Sequence, residues 1–248
     1  MCGRYAILSD KEQIEKEFAV RVDSNVSPCY NAAPGYHLPV ITNLSPKRLQ
    51  FMRWGLIPHW AKDPRIAQHT INARAETITE KASFKMPIRR QRCLVLTNGY
   101  FEWKYTGSGQ KQPYFIYIQD HSLLAMAGLW DTWRSPMTGK ILHSFSIISV
   151  PSNYRIEVIN PRMPVILPKE AHCDWLSQQT RNLRSITKWL KPYAPESMNA
   201  IPISELVNSA ANNTAEVLKP IGNPLYTSAT METYLRAYST KINYGLSA

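Results

Sequence analysis

The chain contains few of the residues that build metal sites, disulfide frameworks or membrane spans. Its four cysteines include no CxxC pair, which argues against a structural zinc site. No apolar run approaches the roughly 20 residues that a membrane-spanning helix needs, and charged residues interrupt the N-terminus where a secretory signal would need an apolar core. We therefore expect an intracellular protein with reduced thiols. We also expect it to be monomeric and cytoplasmic, to associate with the nucleoid if it is bacterial, and to have no metal, cofactor or membrane partner.

Acidic residues are also scarce. The 18 Asp and Glu residues are outnumbered by 29 Lys and Arg residues, so the formal net charge is +11 and the pI is about 9.5. A basic surface favours a polyanionic partner, nucleic acid before membrane, and the alternative is a merely basic soluble protein. With 248 residues, 44% of them hydrophobic, the chain is long enough for one domain with a substantial core.

Short segments rich in β-branched and aromatic residues predict strands: HLPVIT, RLQFMRWG, RCLVLTNGYFEWK, QPYFIYIQ, LLAMAGLWDTWR and ILHSFSIISV. A helix is predicted after Ser9, because Glu12 completes a capping-box spacing and Ile14 and Phe18 share one helical face. PKEAHCDWLSQQ and SITKWLK predict two more. The pattern predicts an α+β fold with a mainly antiparallel β core and a few peripheral helices, spanning residues 1–222. Residues 223–248 have weak periodicity and form a predicted C-terminal tail.

The chain opens with MCGRYA, which places Cys2 directly behind the start methionine. Removal of Met1 would leave an α-amine and a thiol on adjacent carbons, with ordinary pKa values near 8 and 8.5. Such a 1,2-aminothiol captures aldehydes, because the amine forms a Schiff base and the thiol then closes a five-membered thiazolidine ring. The alternative is a buried cysteine without a chemical role.

Two further segments combine aromatic and polar residues. RWGLIPHW places Trp54 and Trp60 around a glycine, either as core residues or as a platform on which bases stack. In TINARAET, strand alternation predicts that Asn72, Arg74 and Glu76 share one face, either a solvated face or one that recognises phosphates and carbonyls.

NGYFEWK holds Glu102 between two aromatic residues. A carboxyl group desolvated in this way has a raised pKa and suits general acid catalysis, whereas the alternative is an exposed glutamate paired with Lys104. In NPRMPVIL, Arg162 could meet a phosphate or a carboxylate. The basic cluster RRQRC, with nearby lysines, indicates either a phosphate track or solvated surface.

Together these segments resemble the SRAP-domain family, the SOS-response-associated peptidases that process abasic sites. The resemblance rests on an ordered set from Met1 to about Pro220: MCGRYA, YNAAPG, MRWGLIPHW, INARAET, RRQRCLVLTNGYFEWK, QPYFIY, MAGLWDTW, SFSIISV, PRMPVIL and VNSAANNTAEVLKP. It implies a barrel-like α+β domain that binds single-stranded DNA. It also implies a self-processing peptidase with lyase-type chemistry, which removes Met1 and crosslinks Cys2 to the abasic-site aldehyde, shielding the lesion.

The resemblance also implies roles for individual residues. Cys2 matches the family nucleophile, Asn72 the asparagine that binds at the reacting sugar and N-terminus, and Glu102 the acid that assists ring opening and proton transfer. The expected DNA contacts are Arg4, Trp54, Trp60, Arg74 and Arg162.

One position departs from the family pattern. INPRMP places Asn160 where the family has a histidine, and an amide can form hydrogen bonds but cannot shuttle protons near neutral pH. We therefore still expect the thiazolidine link to form, whereas its catalysed reversal is in doubt.

Two alternative functions remain open. One is a cysteine peptidase acting on other proteins, which needs a Cys–His pair, and the other is a non-covalent binder of single-stranded DNA.

Overall fold

The computed structural model describes residues 2–107, 109–119, 123–180 and 182–226. Its strands are β1 (Arg4–Ile7), β2 (Cys29–Ala32), β3 (His37–Thr42), β4 (Leu49–Trp54), β5 (Asn72–Arg74), β6 (Arg92–Thr97), β7 (Gly99–Tyr105), β8 (Lys111–Ile118), β9 (Leu124–Arg134), β10 (Ile141–Pro151), β11 (Arg162–Pro164), β12 (Ile166–Leu167) and β13 (Met198–Pro202). The α-helices are α1 (Lys11–Phe18), α2 (Pro87–Arg90), α3 (Tyr154–Glu157), α4 (Lys169–Leu176) and α5 (Leu183–Thr187). Short 3₁₀ helices include Ala75–Thr77 and Glu205–Asn208.

Five strands close into a small barrel in the order β10-β4-β3-β6-β9. The closure depends on β10, which pairs antiparallel with β9 from Ile141 to Ile147 and parallel with β4 at Ser144 and Phe145. Beyond β4, the same edge of β10 pairs with β5, and its last residues pair with β11. The far end of β10 therefore places β5 and β11 on its two sides, and both carry predicted site residues.

A second sheet has the order β13-β8-β7-β1-β2 and packs against the barrel. Tyr5 on β1 lies opposite Tyr100 on β7, and both side chains are buried in the main core. Ala6 and Phe101 lie in a separate core cluster with Val207 and Val217 from the C-terminal 3₁₀ segments. Alternate residues of β1 and β7 thus face different cores, which determines where their neighbours Cys2 and Glu102 point.

The predicted fold class is confirmed: a mainly antiparallel β core carries a few peripheral helices. Each strand-like segment contains a strand, and HLPVIT matches β3 at both ends. The prediction for the first helix was right about its buried residue, Ile14, but wrong about its cap. Asp10, not Ser9, precedes the first turn and accepts a hydrogen bond of 2.8 Å from the backbone N–H of Gln13.

The basic cluster RRQRC divides between surface and core. Arg89 and Arg90 are exposed, whereas Arg92 is fully buried. The Arg92 guanidinium donates to backbone carbonyl oxygens, among them those of Trp175 at 2.7 Å and Arg89 at 2.9 Å. Burial lowers the pKa of Arg92 to about 10, which still leaves it charged at neutral pH. Arg92 therefore ties α2 and α4 to the barrel and is not part of a phosphate track.

The first residues of the predicted tail pack onto the domain. The backbone N–H of Leu225 donates to the Ala200 carbonyl at 2.9 Å, and the Tyr226 hydroxyl donates to the Arg155 carbonyl at 2.9 Å. Residues 227–248 of the predicted tail lie outside the described residues. Within the described ranges, every helix is too short or too polar to cross a lipid bilayer.

Candidate functional site

The site is built where β1 begins. Arg4 lies opposite Phe101 and Tyr5 opposite Tyr100, so the antiparallel register brings the residues before Arg4 close to those after Phe101. Cys2 and Glu102 therefore meet at the same end of this strand pair. Both are buried, Glu102 with only 2% of its surface exposed.

Cys2 is held by hydrogen bonds on both its thiol and its main chain. Its Sγ lies 3.7 Å from the carbonyl oxygen of Arg4, and its own carbonyl accepts a hydrogen bond of 2.8 Å from Asn72 Nδ2. Burial, with a smaller contribution from the nearby Glu102 charge, raises the pKa of the Cys2 thiol well above its usual range. The resting side chain is thus a protonated thiol, so a nearby base must accept its proton before it can act as a nucleophile.

Asn72 reaches the site from β5, which is held in place by its parallel pairing with β10. Its Nδ2 donates to the Cys2 carbonyl, whereas its buried Oδ1 has no hydrogen-bond partner within the described residues. A buried acceptor without a partner is costly. The side chain is therefore fixed at one end and open to a donor at the other.

Glu102 is the titratable group of the site. Burial raises its pKa to about 7, so near neutral pH it can both donate and accept a proton. The interpretation of Glu102 as a desolvated carboxyl agrees with this position, and the alternative of an exposed glutamate does not.

Asn160 contacts Glu102 directly. Its Nδ2 donates a hydrogen bond of 2.9 Å to Glu102 Oε2, and its Oδ1 accepts one of 3.1 Å from the backbone N–H of Arg162. Because that backbone group can only donate, the Asn160 amide must turn its NH₂ group toward the carboxyl. Asn160 thus supplies Glu102 with a fixed hydrogen-bond donor that cannot exchange a proton near neutral pH.

Two tyrosines complete the polar surroundings of Cys2, and neither had been predicted as a site residue. The hydroxyls of Tyr5 and Tyr100 are buried without a hydrogen-bond partner in the described part of the chain. Burial raises the pKa of both phenols well above their usual range. The signal that could have revealed Tyr100 is its spacing of two residues from Glu102 on one strand, which puts both on the same face.

The three predicted DNA-contacting arginines have different environments. Arg74 is exposed at the end of β5. Arg4 donates from Nη1 to Asn31 Oδ1 and to the Val207 carbonyl, each at 2.8 Å, and so anchors the C-terminal 3₁₀ segment. Arg162 forms a two-point ion pair with Glu76. Only Arg74 projects freely enough to meet a phosphate without giving up such a contact.

The predicted common face of Asn72, Arg74 and Glu76 is wrong beyond the strand. β5 ends at Arg74, and Ala75–Thr77 forms a 3₁₀ turn, so strand alternation no longer determines where Glu76 points. Asn72 is buried and Arg74 is exposed. Glu76 turns instead to Arg162 on β11, on the other side of β10.

The two tryptophans also separate. Trp54 is fully buried, donates to the Ile71 carbonyl at 2.9 Å and packs against Tyr5 and Phe145, so its ring is not a surface for bases. Gly55 has a φ of 109°, and Leu56 and Ile57 after it are still buried against β10, with the Ile57 backbone N–H donating to Ser144 Oγ at 2.7 Å. Trp60 lies beyond these residues with 49% of its surface exposed. It borders an open groove lined also by Lys62, His69 and the ion pair of Arg65 with Asp63.

Within the described residues, no group of three or more His, Cys, Asp or Glu side chains is placed to hold a metal ion. The groups that surround Cys2 are an amide, a carboxyl and two phenols. This set can bind hydroxyls, hold a carbonyl and move one proton. It suits condensation chemistry at the N-terminus.

Several known proteins resemble this chain in both sequence and fold. The chain is 38% identical over 223 residues to the abasic site processing protein YoqW of Bacillus subtilis, covering 88% of this chain and 99% of that protein. It is 34% identical over 266 residues to the abasic site processing protein HMCES of Xenopus tropicalis, covering 89% and 78%. A crystal structure of a protein from Bacteroides thetaiotaomicron superposes with a TM-score of 0.82 at 32% identity, covering 89% of this chain and all of that one.

The family model described as SOS response associated peptidase (SRAP) matches residues 1–210. The matched range contains every residue of the site described above, from Cys2 to Arg162. The resemblance in the sequence motifs is thus confirmed over most of the chain, and the protein belongs to the SRAP family.

Proposed function

We propose that the protein processes abasic sites in single-stranded DNA by forming a covalent thiazolidine link through Cys2 after autocatalytic removal of Met1. The observation that carries the proposal is a buried Cys2 thiol near enough to Glu102 for that charge to raise its pKa, with Glu102 itself having a pKa of about 7. The names of the relatives, abasic site processing proteins, support the same substrate.

The first step is hydrolysis of the peptide bond between residues 1 and 2. Water adds to the Met1 carbonyl, the bond to the Cys2 nitrogen breaks, and the new amine takes up a proton. The hydrogen bond from Asn72 Nδ2 to the Cys2 carbonyl fixes Cys2 during this change. Glu102, whose pKa is about 7, receives a proton from the attacking water and returns it to the leaving nitrogen.

The second step is capture of the aldehyde. The Cys2 amine adds to the open-chain sugar aldehyde, and loss of water gives a Schiff base. The Cys2 sulfur then attacks the same carbon, a C–S bond forms, and the thiol proton moves to the nitrogen. Since burial keeps the thiol protonated, Glu102 in its carboxylate form carries that proton. The open Oδ1 of Asn72 is available to a sugar hydroxyl.

DNA binding is proposed for the surface around this site. Arg74 follows Asn72 by two residues and is exposed, and Trp60 offers an exposed ring beside basic side chains. A positively charged surface with an aromatic ring is the usual arrangement for single strands. The net charge of +11 also favours binding to the negatively charged DNA backbone.

A cysteine peptidase acting on other proteins fits the site less well. Such a nucleophile needs a histidine partner, and no hydrogen bond joins Cys2 to a histidine in the described residues. The surrounding groups instead leave the thiol protonated at rest.

The deciding experiment incubates the protein lacking Met1 with abasic and intact single strands and analyses the products by denaturing gel and intact mass. We expect a covalent adduct with the abasic strand alone, at the summed mass less one water. Cys2→Ser should leave at most a reversible imine. A stable adduct of Cys2→Ala at wild-type yield would overturn the thiazolidine assignment.

A further inference from the structure

Arg162 and Glu76 form a two-point ion pair at the surface beside the site. Nη1 of Arg162 lies 2.9 Å from Oε1 of Glu76, and Nη2 lies 3.0 Å from Oε2. Nη2 also donates to the Ser149 carbonyl at 2.8 Å. The Arg162 side chain is 17% exposed and that of Glu76 is 45% exposed. The guanidinium is therefore held against Ser149 of β10, and the Glu76 carboxylate covers it on the solvent side.

The pair is closely connected to the reacting groups. The backbone N–H of Arg162 binds Asn160 Oδ1, and Asn160 Nδ2 binds Glu102 Oε2. Arg74, two residues before Glu76, lies on the opposite side of β10 from β11. The hydrogen bond from Arg162, with a smaller contribution from the charge of Arg74, lowers the pKa of Glu76. Glu76 is thus paired with Arg162 and also feels the positive charge of Arg74.

We propose that Glu76 occupies the anion-binding fork of Arg162 in the free protein, and that a backbone phosphate of the bound single strand displaces it. The proposal rests on the proposed function, since it requires a strand at this site. A carboxylate and a phosphodiester each present two oxygens to the same pair of guanidinium N–H groups.

The local structure permits such an exchange. Glu76 belongs to a single 3₁₀ turn, Ala75–Thr77, and its side chain is exposed enough to rotate into water. Arg162 need not move, because Ser149 holds the guanidinium through both its carbonyl and its hydroxyl. The fork is therefore pre-aligned for the incoming phosphate, and Glu76 is a competitor for it.

The competition has a measurable signature in salt dependence. When a phosphate binds a free arginine, the strand releases its condensed counterions. When the phosphate must first displace Glu76, the freed carboxylate recovers a cation, and the net ion release falls. Removing the Glu76 charge should therefore both tighten binding and steepen its dependence on salt.

The test measures binding of the full chain to a single strand that carries a reduced abasic analogue without an aldehyde, by fluorescence anisotropy over a range of salt. For Glu76→Gln we expect binding about two- to ten-fold tighter at low salt, the scale of one ion pair. The log–log salt slope should become steeper by up to about 0.7. Asp174→Asn is the matched control, because it makes the same charge change at an exposed carboxylate paired with Lys188 at 3.0 Å. It should leave affinity and slope nearly unchanged.

The double variant Glu76→Gln with Arg162→Ala should lose the gain, since the fork is then absent. If the wild type binds normally but Glu76→Gln binds no more tightly, the proposed exchange is overturned and the proposed function is not. Glu76 would then be a positioning residue for Arg162. Failure of the wild type to bind any single strand overturns the proposed function as well. Equal thermal unfolding of all variants confirms that they are folded.

Discussion

Asn160 donates a 2.9 Å hydrogen bond to the carboxyl of Glu102, the buried group whose pKa burial raises to about 7. The proton acceptor of the site therefore stands next to an amide that cannot titrate. This pairing joins Asn160, at the position where the resemblance implies a histidine, to a carboxyl that can exchange a proton near neutral pH.

The first prediction concerns reversal of the crosslink. Opening a thiazolidine requires protons to move among sulfur, nitrogen and the sugar carbon, and a positioned acid–base group contributes about 10²–10⁴-fold to such steps. Asn160→His should therefore speed release of the adduct, with a pH dependence near the ordinary histidine pKa of about 6.5. The measurement is transfer to excess abasic competitor strand between pH 5 and 8. Asn160→Ala serves as the control, and equal release by the wild type and Asn160→His would show that the position is not catalytic.

The second prediction concerns the stability of the fold against pH. Glu102 holds its proton up to a pKa of about 7 when folded, whereas the unfolded chain releases it near 4.5. Between these values the folded state binds more protons than the unfolded state, so stability falls as pH rises, by at most about 1.4 kcal/mol per pH unit. Urea unfolding from pH 4 to 8 measures this slope. Glu102→Gln cannot titrate, so the unfolding free energy of this variant should lose the part of its pH dependence that Glu102 contributes. An unaltered slope would contradict a raised pKa of Glu102.

The third prediction separates the two tryptophans. Trp54→Ala removes a fully buried ring and should cost about 3–5 kcal/mol of stability. Trp60→Ala removes an exposed ring, so the melting temperature should hardly change. Binding to single-stranded DNA should instead weaken by about 1–3 kcal/mol, the scale of one base stacked on an aromatic ring. Calorimetry and anisotropy on both variants provide the comparison, and unchanged DNA affinity of Trp60→Ala would remove this residue from the interface.

The fourth prediction concerns Arg74. It is exposed beside the site, so its loss should weaken single-strand binding and lower the log–log salt slope by about 0.7. Arg184→Ala on α5 also removes an exposed arginine and is the matched control. Titrations at several salt concentrations give both quantities. If the two variants lose affinity equally, net charge and not a local phosphate contact accounts for the effect.

Local pattern was sufficient for the strands and for the burial of Glu102. The β-branched residues of HLPVIT, for example, predicted β3 with the correct bounds at both ends. Glu102 sits among aromatic neighbours in the sequence itself, so its desolvation could be anticipated. The first-helix cap was wrong because Ser9 and Asp10 are both good caps, and only the packed chain shows which of them begins the helix.

The partners of the arginines were beyond the reach of the sequence. Arg4 binds Val207, Arg92 binds Trp175 and Arg162 binds Glu76, in each case more than 80 residues away along the chain. Sequence spacing says nothing about such contacts, because strand pairing and barrel closure create them. For the same reason the sequence could not distinguish the buried Trp54 from the exposed Trp60, six residues further along the chain.

The sequence by itself determined the composition of the site: a cysteine at position 2, an amide at 72, a carboxyl at 102 and an asparagine at 160. The tertiary structure decided their electrostatics and their neighbours. It buried Glu102, joined Asn160 to it, and gave Arg162 a carboxylate partner in Glu76. The physical reason is that residue type fixes which protons and charges a group can carry, whereas burial and contacts fix at what pH and against which partner it carries them.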